Sequence, residues 1–191
     1  MQVFLIVYGW YAYLITMIKS MRKIIFTIIA LTFSVVVSAA RLEILSGDVN
    51  VLKENATCSF VLDLTNATFE QKENFKDWCG INYDERVYLM ETAFPESFNK
   101  KTKGLRIVTD ESSAKYKIVL HIDNFVRKLG RMYGASAWMR IDGYISIVEM
   151  GTNKEVLRIG INKFYGDQDF KETDRFPKAV SVLAEKIHKL K

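Results

Sequence analysis

The sequence predicts an α+β domain: a two-layer sandwich with a mainly antiparallel sheet and two main helices on one face, behind an N-terminal hydrophobic signal segment. Three observations predict it. Residues 1–40 are almost wholly apolar and contain no acid. Three runs between Tyr116 and Asn162 alternate apolar and polar residues, the period of half-buried strands. Two further stretches repeat apolar residues at three- and four-residue spacing, as amphipathic helices do. The chain has 191 residues, which suits one domain plus a leader. Its apolar content is 49% with two prolines, ample for a buried core and contrary to long disorder.

The leader reads as follows. Met1–Ile18 is apolar, Lys19-Ser20-Met21-Arg22-Lys23 is polar and basic, and Ile24–Val37 is apolar again. The second half has the build of a signal peptide starting at Met21, the expected true start. Arg22 and Lys23 form the basic region, and Ser38 and Ala40 supply small residues before a cleavage site. Removal of 1–40 leaves 41–191 as a single exported domain. The alternative is a retained membrane anchor, for which Ile24–Val37 is short and Met1–Ile18 borderline. No cysteine ends the apolar run, so lipid modification there is not expected. Of the 27 Lys and Arg, only Lys19, Arg22 and Lys23 precede residue 41; the exported part holds 24 basic against 22 acidic residues. That near balance gives no reason to expect a nucleic-acid partner.

In the exported part, Leu42–Leu45 is a short apolar run, and Gly47-Asp48 turns the chain toward Val49–Leu52. Cys58, Phe60, Leu62 and Leu64 share one strand face. Thr68-x-x-Gln71 has the capping-box pattern and predicts a helix over Phe69–Cys79, stopped by Gly80. Asn82-x-x-Glu85 opens a longer helix with the stripe Tyr83, Val87, Met90, Phe94, Phe98, which Pro95 is expected to kink or split. Lys100, Lys101, Lys103 and Gly104 suit its C-terminus. Tyr116–Asp123, Ala137–Ile147 and Leu157–Asn162 are strands, with a hairpin turn at Glu149–Lys154. A final helix near Asp174–Leu190, capped by Asp174, has Val180, Leu183, Ile187 and Leu190 inside.

The order strand–strand–helix–three strands–helix behind an export signal, with the hairpin Val148-Glu149-Met150-Gly151-Thr152-Asn153-Lys154-Glu155-Val156-Leu157, resembles small α/β envelope domains. These include the N-terminal domain of TolB-like periplasmic proteins and lipopolysaccharide-assembly lipoproteins. The whole chain resembles exported proteins of Bacteroides-type bacteria. The resemblance runs over 41–191 by element order and lacks the lipid-accepting cysteine. It implies a fold and a periplasmic or secreted location, and it transfers no functional residue.

The candidate binding residues fall in two places. Arg127, Lys128, Arg131 and Tyr133 belong to a basic and apolar loop that could meet phosphates on lipid or glycolipid; an ordinary flexible hairpin loop is the plainer reading. Trp138, Arg140 and Tyr144, with Arg158, share the polar sheet face and have the composition of contact hot spots, or of routine cross-strand packing. Asp167, Asp169 and Glu172 could offer oxygen ligands to a hard cation, although EF-hand spacing is missing; a solvated loop ahead of a helix N-terminus is the plainer reading. Cys58 and Cys79 could pair in an oxidising compartment, closing a loop worth roughly 3 kcal/mol. Two separate buried thiols are the alternative, since Cys58 falls on an apolar face. Asn55 and Asn66 each begin Asn-Ala-Thr, an acceptor for glycosylation only in a eukaryotic secretory route.

Catalytic signatures are missing. There is no phosphate-binding glycine loop, no Gly-x-Ser-x-Gly elbow and no metal-spaced His/Cys set. The histidines are His121, near Asp123 on a polar face, and His188, among lysines where it complements a helix dipole. The expectation is an exported envelope protein without cofactor, a non-enzymatic binding or assembly module whose partner is an envelope protein or an anionic envelope component. The membrane enters only through an uncleaved leader. Two rivals remain: a small-molecule, glycan or lipid carrier lined by Met90, Phe94, Phe98 and Met139, and a hydrolase using Cys79 or His121.

Overall fold

The chain separates into two units, Met1–Ala39 and Ala40–Lys191. The computed structural model describes residues 41–129, 137–167, 169 and 171–190, all in the second unit. Residues 1–40, where the sequence leads one to expect a leader and a cleavage site, lie outside the described residues. No described helix is long and apolar enough to cross a membrane.

Among the described residues, eight strands and three α-helices follow one another in an α+β order. β1 (Arg41–Gly47) leads through a 3-10 turn (Val49–Lys53) to β2 (Thr57–Asp63). The short strands β3 (Thr68–Phe69) and β4 (Glu73–Asn74) precede α1 (Phe75–Cys79) and α2 (Tyr83–Lys101). β5 (Arg106–Ile107) is followed by the long strands β6 (Tyr116–Leu129), β7 (Ala137–Glu149) and β8 (Lys154–Tyr165), then α3 (Glu172–Ile187). The sheet order is β1-β8-β7-β6-β2-β5, with β3 beside β6 and β4. β1, β8, β7 and β6 pair antiparallel; β2 is parallel to both β6 and β5. The sheet is therefore mixed, with its antiparallel part formed by the strands whose alternation is plainest.

One sheet face carries Ile118, Leu120, Phe125, Met139, Ile141, Ile145, Ile147, Leu157 and Ile159, all at 1% exposure or less. The helices lie on it. α2 contributes Met90, Phe94 and Phe98, and α3 contributes Phe176, Val180, Leu183 and Ile187. Each large apolar side chain removed from water contributes about 1.5–3 kcal/mol. α2 runs unbroken through Pro95. Proline deletes one helical hydrogen bond, but three fully buried side chains on the same face offset that loss.

Three expectations are corrected. The helix predicted over Phe69–Cys79 is instead a β3–β4 hairpin and a short helix. Glu70 and Gln71 adopt positive φ (54° and 59°), a turn geometry. The Thr68 hydroxyl reaches across to β6, donating to Asn124 Oδ1 (3.0 Å), which also receives Gln71 N–H (3.0 Å). The capping box therefore never forms, and Asn74 caps α1 through Lys76 N–H (2.9 Å). Asn82 makes no side-chain cap, because a 3-10 turn over Gly80–Asn82 feeds directly into α2. Asp174 is not the cap of α3. The helix begins at Glu172, and Asp174 sits in its first turn, accepting from Thr173 Oγ1 (3.2 Å).

Candidate functional site

The side of the sheet facing away from the helices carries an ordered polar and aromatic row that crosses four strands. It follows from register. His121 on β6 lies opposite Asp63 on β2 and Tyr144 on β7, and Ser146 lies opposite Arg158 on β8. Residues directly opposite share a face, so these side chains meet. His121 Nδ1 lies 2.7 Å from Asp63 Oδ2. The imidazole stacks on Tyr144, with centroids 4.3 Å apart and planes 19° apart. The Arg158 guanidinium lies 4.8 Å from the Tyr144 ring centroid. Arg158 grips Glu155 through Nε (3.0 Å) and Nη2 (2.8 Å), and Ser146 Oγ donates to Glu155 Oε2 (2.7 Å).

Gly143 makes this register possible. A Cβ at that position would lie 2.1 Å from the His121 carbonyl oxygen. β6 and β7 approach that closely at the bulge between Ile122 and Asn124, so only glycine fits.

The charges are held by their neighbours. Hydrogen bonds from Thr65, first from its backbone N–H (3.0 Å), lower the Asp63 carboxyl below its usual range, with His121 adding to the effect. Burial alone would raise Glu155, but the hydrogen bonds from Arg158 and Ser146 outweigh it, leaving the carboxyl lowered. The Glu155 contact in turn raises Arg158.

Toward the other end of the same face, Lys128 opposes Trp138 and Arg140 opposes Tyr165. The Lys128 ammonium lies 5.2 Å from the Tyr165 ring centroid. Lys128, Leu129, Trp138 and Tyr165 line a shallow cavity of about 420 Å³. Arg140 is paired with Asp142 (2.8 Å), whose other oxygen accepts Lys163 N–H (2.7 Å).

The structure thus brings Tyr144 and Arg158 into contact and places Trp138 and Arg140 on the same face. Arg127 pairs in register with Met139, putting it on the helix-side face of the exposed end of β6. Arg131 and Tyr133 lie outside the described residues. Sequence reasoning set His121 beside Asp123; its partner is Asp63, on a strand far away in the chain.

The remaining expectations resolve as follows. Cys58 and Cys79 are not bridged. Cys58 aligns with Tyr116 at the start of β6, while the hairpin leading into Cys79's helix sits beside Asn124–Phe125, roughly 26 Å along the strand. Burial pushes the Cys58 thiol up to about 12, and Cys79 Sγ accepts from Arg86 Nη1 (3.3 Å). Among the described residues no three acids, histidines or cysteines are grouped to hold a metal. Asp169 is engaged by Lys178 and by Lys171 N–H (3.1 Å), Asp167 is exposed, and the Glu172 side chain is outside the description. Cys79 packs on the helix side and His121 on the opposite face, so they form no nucleophile–base pair. Met90, Phe94, Phe98 and Met139 are completely buried as packed core rather than lining a lumen. His188 is half-buried against Phe98, with Nε2 3.2 Å from the Phe98 carbonyl, and burial lowers its basicity.

No protein-family model and no curated sequence matches the chain. Among solved structures it is similar to the PelC dodecamer from Paraburkholderia phytofirmans, with TM-score 0.43 and 9% identity over 77% of this chain and 95% of that one. A point variant of that dodecamer gives TM-score 0.40 and 6% identity over 78% and 97%. A protein described as a neuraminyllactose-binding hemagglutinin homologue from Helicobacter pylori gives TM-score 0.35 and 9% identity over 72% and 84%.

Proposed function

We propose that this chain is an exported, non-enzymatic binding or assembly module of the cell envelope, and that it engages an envelope protein through the uncovered sheet face. The observation that carries the reading is the row Asp63–His121–Tyr144–Arg158, which four different strands hold in place on the side the helices leave open. Aromatic and arginine side chains fixed by their neighbours are the composition of binding hot spots, because little conformational entropy is left to lose on contact. The basic-then-apolar pattern of residues 21–40, which has the build of a signal peptide, and the resemblance of the sequence to envelope domains support the compartment.

The charge pattern favours a protein over a polyanion. Arg140 and Arg158 already hold Asp142 and Glu155. A polyanion would have to displace those carboxylates, whereas a protein surface can add hydrogen bonds around them. An anionic envelope component retains one foothold, Lys128 beside Trp138 and Tyr165.

The test is capture from solubilised envelope by the immobilised full chain. Tyr144→Ala/Arg158→Ala and Trp138→Ala are compared with wild type at equal folded concentration. A species retained by wild type should fall about tenfold or more with the double variant, the size of a hot-spot loss. Equal recovery with all three chains removes this face from consideration.

A further inference from the structure

A second surface lies at the sheet edge, away from the face just described. β5 pairs with β2 only at Thr57 and Cys58. Beyond Cys58, that side of β2 has no strand partner among the described residues. The Cys58 carbonyl points to that side, where it accepts Val108 N–H (2.8 Å). By strand alternation, the peptide groups of Phe60 and Leu62 point the same way. α2 runs beside this edge in the opposite direction. Asn99 near its end holds Ile107 through two 2.9 Å bonds, and Phe94 stacks on Phe60 at 4.5 Å. A cleft of about 460 Å³ opens there, lined by Ser59, Phe60, Glu91, Pro95, Glu96 and Glu111 among others.

The polar chemistry of this cleft is mostly that of an acceptor. Glu91, Glu96 and Glu111 are exposed carboxylates. Pro95 has no N–H, so the Glu91 carbonyl lacks its helical donor. Ser59 is 1% exposed, yet its hydroxyl has no hydrogen-bond partner among the described residues. Acidic residues on a helix are ordinarily a solvated face. A buried hydroxyl left unpaired beside an open strand edge is not explained that way, because such groups are costly unless something pairs with them.

We propose that this cleft receives an extended, arginine- or lysine-bearing segment of a partner protein, which adds a strand to the free edge of β2. Its main chain bonds Phe60 and Leu62. Its basic side chains lie among Glu91, Glu96 and Glu111, and a polar group of the segment pairs with Ser59. Main-chain bonds supply affinity in this mode of recognition, and charge complementarity supplies selectivity. The site uses none of the residues in the Asp63–His121–Tyr144–Arg158 row.

Fluorescence anisotropy with the full chain tests it, using three labelled hexapeptides. One alternates valine and arginine, one alternates valine and glutamate, and one is the arginine peptide N-methylated at alternate residues. The arginine peptide should bind, and the other two should bind at least about tenfold more weakly, as lost charge pairs and lost strand bonds require. Glu91→Lys/Glu96→Lys should weaken the arginine peptide about tenfold, and Trp138→Ala should leave it unchanged. Three results each overturn the proposal: no binding of the arginine peptide, equal binding of its N-methylated form, or unchanged affinity in the Glu91→Lys/Glu96→Lys chain. Because Trp138→Ala probes the other face, failure here is distinguishable from failure of the open-face reading.

Discussion

Replacing Phe94 by alanine separates a filled core from a ligand lumen. Phe94 is 0% exposed, stacks on Phe60 at 4.5 Å and meets Phe98 at 6.1 Å. Its neighbours sit on a strand and on its own helix, so the gap cannot close by a simple shift of one side chain. A buried phenylalanine truncated under these conditions costs about 3–5 kcal/mol, from lost burial plus a residual cavity. For a domain of this size, each kcal/mol lowers Tm by about 2–4 °C, giving a fall of roughly 6–20 °C. Urea unfolding followed by far-UV circular dichroism measures the free energy, and a thermal scan measures Tm. A carrier whose lumen Phe94 lined would lose little, because alanine would only widen a space already present. A loss below about 1 kcal/mol would refute the packed-core argument and restore the carrier reading.

Two other perturbations test the open face and the thiols. Asp63 is lowered in the folded chain, so its contribution is complete above the unfolded carboxyl range and is lost as pH falls through the folded value. Asp63→Asn should therefore melt below wild type at pH 7, with the gap narrowing from about pH 4 downward; a gap independent of pH would contradict the role given to Thr65 and His121. Cys58 is fully buried with its thiol raised to about 12, so it should resist iodoacetamide at pH 8 in the native chain. In denaturant without reductant both Cys58 and Cys79 should alkylate, read by mass; a chain that takes up no label until reduced would show the bridge the fold argues against.

The legibility of the fold followed the range of its contacts. Tyr116–Ile122 and Ala137–Ile147 display their faces in alternation, because each residue's burial depends on which side of one strand it occupies. The stripes Met90–Phe94–Phe98 and Val180–Leu183–Ile187 are equally local. The β3–β4 hairpin was not legible, since Thr68 has two uses for its hydroxyl and the one adopted requires Asn124 on a distant strand. The parallel pairing of β2 with β6 leaves no mark in either strand. The same limit divided the candidate site. Tyr144 and Arg158 could be placed on one face by counting, but the Asp63–His121 contact exists only through that parallel register. Ser59 reads as the polar side of a strand, and its missing partner emerges only when the edge of β2 and Pro95 are seen together.

β1 begins the described chain, and its ladder partner is β8, with Arg41 aligned to Asn162 and Gly47 to Leu157. During synthesis the first strand to emerge must therefore wait for the last. Leu42 and Ile44 stay without their Ile161 and Ile159 neighbours until nearly the whole polypeptide has left the ribosome. Closure over such a sequence distance is entropically slow. In a nascent chain of this design β1 stays without a ladder partner for most of its making, and truncation before residue 157 deprives it of every rung it has.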